Sequence, residues 1–274
     1  MPIRTGSVTT PSGVRIAFDE AGPAGAPACV LIHGIAQSRA CFRSLLESPL
    51  AERHRLVAFD LRGHGDSDTP THDEELRRPK LAEDLQAVLE QRGLVRPTVV
   101  GWSYCGVVVG EYLRRFGERA LRAVVLLAAS IRTGREAADL FGPVMMENAR
   151  ALISADAETY ATGARRFLDG CVSARRPPEQ LEAELAQMLH VPAQVRRALL
   201  SGGEDYTPEL RRLTVPLVTL HGSLDTVVKP AMSELIASLN PRTQQHWLAG
   251  VGHAPWLEAP AAFQSALAGL LEAP

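Results

Sequence analysis

Short apolar runs alternate with longer amphipathic stretches through the first 130 residues. Strand-like runs span residues 28–32, 55–59, 98–101 and 123–127, and two further runs, 7–10 and 14–19, flank a Pro-Ser-Gly turn. The stretches 38–52, 79–92 and 107–116 have helical spacing. Because strands that alternate with helices build a mostly parallel sheet covered on both faces, this part of the chain predicts an α/β fold that begins with an antiparallel hairpin.

The alternation stops near residue 131 and resumes near residue 214. Between these positions no run is typical of a strand, and helical spacing covers residues 135–153, 158–172, 178–189 and 193–200. Strand-like runs at 215–220 and 244–248 then precede a helix that begins near Ala259. We predict a core domain of residues 1–130 and 214–274, with a helical cap, 131–213, inserted after the sixth strand. Such a cap lies over the carboxyl edge of the sheet and covers any site there.

Three polar residues follow three of the strand-like runs. Ser103 lies in the segment Gly-Trp-Ser-Tyr-Cys-Gly, where a sharp strand-to-helix turn lifts a hydroxyl out of the sheet. Asp225 and His253 follow the runs that end at residues 220 and 248. Each signal is weak alone. The order serine, acid, histidine along one sheet edge predicts a nucleophile, an orienting carboxylate and a general base.

These segments resemble the motifs of the α/β-hydrolase superfamily, and the resemblance covers nearly the whole chain. Residues 33–36, His-Gly-Ile-Ala, resemble the family's oxyanion loop, and residues 60–67 resemble its Asp-x-Arg-Gly-x-Gly-x-Ser turn. Residues 250–260, with Glu258 and Pro260, are similar to its histidine loop, Gly-His-x-x-x-x-Glu-x-Pro. The most similar branch contains small serine esterases, cofactor-free haloperoxidase or perhydrolase-like proteins, and pimeloyl-carrier methyl ester esterases.

The resemblance implies a role for each candidate catalytic residue. Ser103 is the nucleophile, His253 is the base, and Asp225 orients the histidine. The backbone N–H groups of Ile35 and Tyr104 form the oxyanion hole. We expect no cofactor and no metal site. A serine nucleophile also argues against epoxide hydrolase and haloalkane dehalogenase chemistry, which uses an aspartate at this position.

We therefore expect a serine hydrolase that cleaves a small or medium, partly apolar carboxylic ester or thioester. Trp102, Phe141, Met145 and Trp256 are the candidates for the substrate pocket. The same triad also serves perhydrolase or haloperoxidase, lactonase, carbon–carbon bond hydrolase, amidase and hydroxynitrile lyase chemistry. A non-catalytic receptor for a small molecule is a further alternative. The sequence does not identify the natural substrate or the oligomeric state.

Cys105 departs from the serine motif, which usually has glycine at this position. We expect its side chain to point into the strand–helix contact, where burial raises the thiol pKa and leaves the thiol inert. His33 and His64 do not follow a strand at the family's histidine position. We expect both histidines to organise loops rather than to act as bases.

The composition is typical of a globular protein and argues against nucleic-acid binding and membrane insertion. The 274 residues are 46% hydrophobic and carry a formal net charge of −2, as in a globular domain with a full core. Residues 131–213 contain paired arginines, but 11 arginines face 12 acidic residues there, so we expect no nucleic-acid partner. No apolar run approaches a membrane span, and residues 1–7 lack the apolar segment of a secretion signal. We expect neither membrane insertion nor export.

The cysteines show no Cys-x-x-Cys spacing, and one of them lies inside an apolar strand-like run. They are Cys29, Cys41, Cys105 and Cys171. Free thiols of this kind are typical of proteins in a reducing cytoplasm. We predict a cytoplasmic protein without a disulfide or a zinc site.

Overall fold

An eight-stranded sheet forms the centre of the protein, and the computed structural model describes residues 2–174 and 176–272. The strands are β1 (Arg4–Thr9), β2 (Arg15–Ala21), β3 (Ala28–Ile32), β4 (Arg55–Phe59), β5 (Thr98–Trp102), β6 (Ala123–Leu127), β7 (Leu217–Gly222) and β8 (Gln244–Leu248). Their order in the sheet is β1-β2-β4-β3-β5-β6-β7-β8. The pairs β1–β2 and β2–β4 are antiparallel, and the other pairs are parallel. The predicted fold class is confirmed.

The central strands are buried along their whole length because the sheet is covered on both faces. Every residue of β3, β4, β5 and β6 is buried, which explains why these strands appear in the sequence as mainly apolar runs. Alternate residues of β3 pack into two separate apolar layers. Val30 and Ile32 belong to one layer, and Cys29 and Leu31 belong to the other.

Helices flank the sheet on both faces and fill the long connection between β6 and β7. They are α1 (Arg43–Leu46), α2 (Leu50–Arg53), α3 (Arg78–Gln91), α4 (Cys105–Phe116), α5 (Pro143–Leu152), α6 (Ala157–Gly170), α7 (Pro178–His190), α8 (Ala193–Leu200), α9 (Thr207–Arg212), α10 (Ala231–Leu239), α11 (Pro255–Glu258) and α12 (Pro260–Glu272). Short 3-10 turns span Arg39–Phe42, Asp73–Leu76 and Arg135–Leu140. Within the described ranges, no helix has the length and apolar character needed to cross a membrane.

The single helix predicted for residues 38–52 is wrong. The structure has a 3-10 turn, then α1 and α2, which are separated by residues 47–49, Glu-Ser-Pro. Proline has no N–H for a helical hydrogen bond, and its ring disfavours helical backbone in the residue before it. The helix therefore ends before Pro49 and starts again after it.

The helix predicted for residues 135–153 is also interrupted. A 3-10 turn ends at Leu140, and α5 begins at Pro143. Between them the Gly142 N–H donates to the Val227 carbonyl, 2.9 Å away, and a Cβ on Gly142 would lie 2.1 Å from the Thr226 carbonyl oxygen. A close contact with the loop after β7 therefore breaks this helix.

The connection between β6 and β7 contains α5 to α9, and its described residues form no strand of the sheet. Among the described residues of this connection, the only pairings are isolated ones, of Arg132 with Asp205 and of Phe141 with Val228. Helices α9, α10 and α11 have no counterpart in the sequence prediction. The boundaries of the core and the cap at residues 131 and 213 stay a prediction.

Candidate active site

Ser103 occupies the sharp turn between β5 and α4. Its backbone has a φ of 57°, a left-handed conformation that is rare for serine. The turn is crowded, since a Cβ on Gly101 would lie 2.9 Å from the Cys105 carbonyl oxygen and a Cβ on Gly106 only 2.3 Å from that of Ser130. The small residues therefore allow the strand, the helix and the following loop to meet around Ser103.

The structure brings together the three side chains that the sequence order singled out. His253 Nε2 lies 2.8 Å from Ser103 Oγ, and His253 Nδ1 lies 2.7 Å from Asp225 Oδ2. Because a carboxylate only accepts hydrogen bonds, Nδ1–H donates to Asp225, and Nε2 is left to accept the serine hydroxyl proton. All three residues are buried. This arrangement can activate a hydroxyl for nucleophilic attack.

Asp225 is held as a buried carboxylate. Its Oδ1 accepts hydrogen bonds from the backbone N–H groups of Val227 and Val228, at 2.8 and 3.0 Å. Burial acts to raise the pKa of Asp225, but the charge of His253 and hydrogen bonds from His253 and His221 outweigh it and lower the pKa to about 2. The carboxylate is therefore ionised at neutral pH and can stabilise a protonated His253.

A second histidine, His221, contacts the same carboxylate, and the sequence did not identify it as a site residue. Its Nε2 lies 3.0 Å from Asp225 Oδ2 and 2.9 Å from the Val228 carbonyl oxygen, and its Nδ1 lies 2.7 Å from Ser233 Oγ. Both partners of Nε2 are acceptors, so this nitrogen carries a proton. The available signal was a polar residue inside the buried strand β7, four positions before Asp225.

Ile35 and Tyr104, the predicted oxyanion-hole residues, border the same cavity as Ser103. No acceptor among the described residues takes a hydrogen bond from either backbone N–H. A Cβ on Gly34 would lie 3.1 Å from Ser103 Cβ, so the loop of Ile35 packs directly against the serine turn. Two unpartnered N–H donors beside a nucleophile can hold the oxygen of a carbonyl under attack.

A cavity of about 300 Å³ opens from Ser103 toward the helices between β6 and β7. Phe141 and Met145, two predicted pocket residues, line it. The other apolar lining residues are Ile35, Ala138, Met146, Ala149, Phe167, Leu199, Leu200, Val227 and Val228. Ser130 and Thr133 are polar residues of the lining, and the exposed Arg135 is the one charged residue among the described lining residues. The cavity suits an apolar group of limited size.

Trp102 and Trp256, the other two predicted pocket residues, do not line this cavity. They pack against each other with ring centroids 4.4 Å apart and belong to the apolar layer on the other face of the sheet. Trp102 is a neighbour of Ser103 in sequence, but successive strand residues point to opposite faces. Its indole Nε1–H donates to the His253 carbonyl at 3.0 Å, so Trp102 supports the histidine loop.

The Cys105 side chain lies in the buried contact between strand and helix, as expected. Its Sγ is 2.6 Å from the His33 carbonyl oxygen, and burial raises its thiol pKa well above the usual value. His33 accepts a hydrogen bond from the Leu61 N–H at Nε2, and burial lowers its pKa to about 4. His64 has a pKa lowered by burial to about 3. His33 thus joins its loop to residue 61, whereas His64 Nδ1 lies 3.0 Å from the Arg62 carbonyl oxygen in its own loop and its ring packs 5.1 Å from that of His33.

The cysteines Cys29, Cys41, Cys105 and Cys171 are free thiols. Across residues 2–174 and 176–272, no group of three or more His, Cys, Asp or Glu side chains is arranged to hold a metal ion.

Comparisons with known proteins show which family the chain resembles. The family model described as "Alpha/beta hydrolase family" matches residues 29–266. An esterase from Rhodococcus sp. ECU1013 superposes with a TM-score of 0.89 at 30% identity, covering 100% of this chain and 99% of that chain. The pimeloyl-[acyl-carrier protein] methyl ester esterase of Aeromonas hydrophila is 27% identical over 86% of this chain and 92% of that protein. Mouse epoxide hydrolase 4 is 30% identical, but over only 42% of this chain and 32% of that protein.

The family match covers most of the chain, and the Rhodococcus esterase shares its whole length. The family resemblance predicted from the motifs around Ser103, Asp225 and His253 is confirmed. The chain belongs to the alpha/beta hydrolase family.

Proposed function

We propose that this hydrolase cleaves a small or medium, partly apolar carboxylic ester through a Ser103-His253-Asp225 triad and an acyl-enzyme. The observation that carries the proposal is the continuous hydrogen-bonded series from Ser103 Oγ through His253 to Asp225 at the base of an apolar cavity. Such a series supplies the nucleophile, the base and the orienting acid of acyl transfer. The names of the similar Rhodococcus and Aeromonas proteins, both esterases, support the same reaction class.

In the first half-reaction, Ser103 Oγ attacks the ester carbonyl carbon while its proton moves to His253 Nε2. The electron pair of the carbonyl π bond moves to the carbonyl oxygen, and Asp225 stabilises the imidazolium. When the tetrahedral intermediate collapses, the bond to the alkoxy oxygen breaks. The leaving alcohol takes the proton from His253 Nε2, and the acyl group stays on Ser103.

In the second half-reaction, water takes the place of the alcohol and hydrolyses the acyl-enzyme. His253 Nε2 removes a proton from a water molecule, whose oxygen attacks the acyl carbon, and the proton then returns to Ser103 Oγ as the acid departs. The N–H groups of Ile35 and Tyr104 stabilise the oxyanion in both halves, at about 3 to 4 kcal/mol per donor in hydrolases of this kind. The mechanism uses groups of the chain and water, without a cofactor.

The walls and the volume of the cavity indicate which acyl groups the enzyme accepts. Apolar walls such as Phe141 and Met145 favour an aryl or medium-length alkyl chain, and a volume of about 300 Å³ limits its size. A thioester with the same acyl group would react by the same steps. A cytoplasmic location belongs to the same proposal, and the four free thiols support it because a reducing compartment keeps thiols reduced.

The proposal is tested with p-nitrophenyl esters from acetate to laurate and with matched thioesters and lactones. Each methylene buried in the cavity contributes about 0.8 kcal/mol, so kcat/KM should rise about fourfold per carbon, reach a maximum, and fall once the chain exceeds the cavity. Ser103→Ala should hydrolyse none of them. Equal rates for all chain lengths would contradict the assignment of the cavity as the acyl site.

Other outcomes would redirect the assignment to another reaction. A preference for lactones, or peracid formation from acetate and hydrogen peroxide, would favour lactonase or perhydrolase chemistry on the same triad. Acylation of Ser103 without turnover would favour the small-molecule receptor.

A further inference from the structure

A short segment that follows helix α6 contacts the two loops that carry Asp225 and His253. Thr226, next to Asp225, donates its hydroxyl proton to the Gly170 carbonyl oxygen, 3.1 Å away. The backbone N–H of His253 itself donates to the Cys171 carbonyl oxygen at 2.8 Å. The last residue of α6 and the first residue after it therefore hold the direct neighbour of one triad residue and the backbone of another.

Glu258 joins the same connection to the histidine loop through both carboxylate oxygens. Its Oε1 accepts the N–H of Gly252 at 2.9 Å, and its Oε2 accepts the N–H of Ser173 at 2.6 Å. The Ser173 hydroxyl lies 2.5 Å from Oε2 and 2.8 Å from the Gly250 carbonyl oxygen, and its single proton goes to one of these acceptors. Hydrogen bonds to an ionised acceptor are about twice as strong as neutral ones.

The packing leaves the residue before His253 little room to move. A Cβ on Gly252 would lie 3.0 Å from the Ser173 nitrogen and 3.1 Å from the Cys171 carbonyl oxygen. On its other side, the Gly252 carbonyl oxygen would lie 2.1 Å from a Cβ on Gly222, at the end of β7. The backbone at Gly252, which precedes His253, is therefore enclosed between residues 171–173 and the end of β7.

We propose that Glu258 is a positioning residue for His253 and that Ser173 is its partner on the cap side. The inference rests on the proposed function, in which His253 Nε2 must stay within hydrogen-bond reach of Ser103 Oγ. Neither Glu258 nor Ser173 borders the cavity, so both act through the histidine loop. A displacement of about 1 Å at a reacting group can cost about a hundredfold in rate. The connection after α6 thus fixes the geometry of the triad in addition to covering it.

The kcat and KM of Glu258→Gln, Ser173→Ala and the double variant test whether Glu258 and Ser173 position His253. An amide at residue 258 would turn its own N–H toward the N–H of Gly252 or of Ser173, which the carboxylate accepts in the native protein. Glu258→Gln should therefore lower kcat by about 10-fold to 100-fold with KM nearly unchanged. Ser173→Ala should lower kcat less, and Ser173→Thr, which keeps the hydroxyl, should retain the kcat of the native enzyme. The double variant should be no slower than Glu258→Gln, because both changes break the same link.

Gln194→Ala is the matched control. Gln194 Nε2 makes a different contact across the fold, to the Pro70 carbonyl oxygen at 3.2 Å, and it borders neither the cavity nor the triad loops. This variant should keep the native kcat. If it slows catalysis as much as Glu258→Gln, or if the Glu258 and Ser173 effects appear in KM alone, the positioning role is wrong.

A second readout does not depend on ester turnover. The proton on His253 Nδ1, shared with Asp225, gives a far-downfield proton resonance, which should shift or broaden in Glu258→Gln and Ser173→Ala but not in Gln194→Ala. Ser173 is exposed, so its alanine variant should fold even if Glu258→Gln does not. An unchanged resonance in a folded Ser173→Ala variant with native kcat would overturn the inference. Absence of esterase activity in the native protein would instead refute the proposed function.

Discussion

At the scale of single residues, Ser103 shows how backbone strain is offset by local hydrogen bonds. A left-handed serine costs on the order of 1 to 3 kcal/mol. The Ser103 N–H donates to the Leu127 carbonyl at 3.0 Å, and the Ser103 carbonyl accepts from the N–H groups of Gly106 and Ser130 at 3.2 and 3.0 Å. These bonds hold the turn in place while Oγ stays free to face His253.

Cys105 provides a prediction at this scale. Its buried thiol contacts the His33 carbonyl oxygen and its pKa is raised, so it fills space and does not react. Cys105→Gly should retain kcat, with a loss of about 1 kcal/mol in the free energy of unfolding from lost contacts and added chain entropy. Cys105→Leu should overpack the contact, cost about 1 to 3 kcal/mol and lower kcat by displacing Ser103.

Chemical denaturation and steady-state kinetics on the three proteins measure both effects. The packing role is refuted if folded Cys105→Gly has lost turnover. Rapid inactivation of the native enzyme by a thiol reagent that spares Cys105→Gly would refute it as well.

The sequence predicted where a polar residue lies in the fold when the signal was local. Ser103, Asp225 and His253 each follow a strand-like run, so the sequence places them at one edge of a parallel sheet. His221 gave only a weaker signal, a polar residue inside the buried strand β7 four positions before Asp225. Ser173 gave none, because its role comes from a contact between segments that the sequence does not bring together. The sequence motif included Glu258, but its partner Ser173 lies 85 positions away.

At the scale of secondary-structure elements, strands were more predictable than helices. A buried parallel strand is a mainly apolar run, and β3, β4 and β6 have the predicted bounds. The positions at which helices break do not follow from the apolar pattern. The break at Pro49 is a local backbone effect that the helical spacing obscured, whereas the break at Gly142 comes from a contact with Val227 on a distant part of the chain.

Gly106, in the first turn of α4, provides a prediction at this scale. A Cβ at this position would lie 2.3 Å from the Ser130 carbonyl oxygen, and the Ser130 N–H holds the Ser103 carbonyl. Gly106→Ala should therefore cost about 1 to 3 kcal/mol in the free energy of unfolding and lower kcat at least about tenfold.

Gly269→Ala is the matched control, since Gly269 also lies in a helix and a Cβ there would meet nothing within 4 Å. It should leave kcat unchanged and stabilise the protein by up to about 1 kcal/mol, because alanine favours helix over glycine. Thermal unfolding and ester kinetics on both variants test the pair. If the two variants have equal kcat and equal stability, the tight contact between Gly106 and Ser130 is refuted.

At the scale of the whole molecule, sheet topology assembles the site. Strands β5, β6, β7 and β8 are neighbours, so the connections after β5, β7 and β8 bring Ser103, Asp225 and His253 to one sheet edge. The helices between β6 and β7 then add the apolar cavity walls. Cavity residues and packing residues look alike in the sequence, because the face to which Trp102 and Trp256 point depends on how the two apolar layers pack around the sheet.

The most direct test of the account is the site and rate of covalent labelling by a fluorophosphonate, which reacts with an activated serine and gives a stable adduct. Mass spectrometry of the labelled protein should find one equivalent on Ser103. His253→Ala should slow labelling by about 10³-fold or more, and Asp225→Asn should slow it less, because the base is lost in the first variant and only misoriented in the second. A label on another residue, or a native labelling rate in His253→Ala, would contradict the triad.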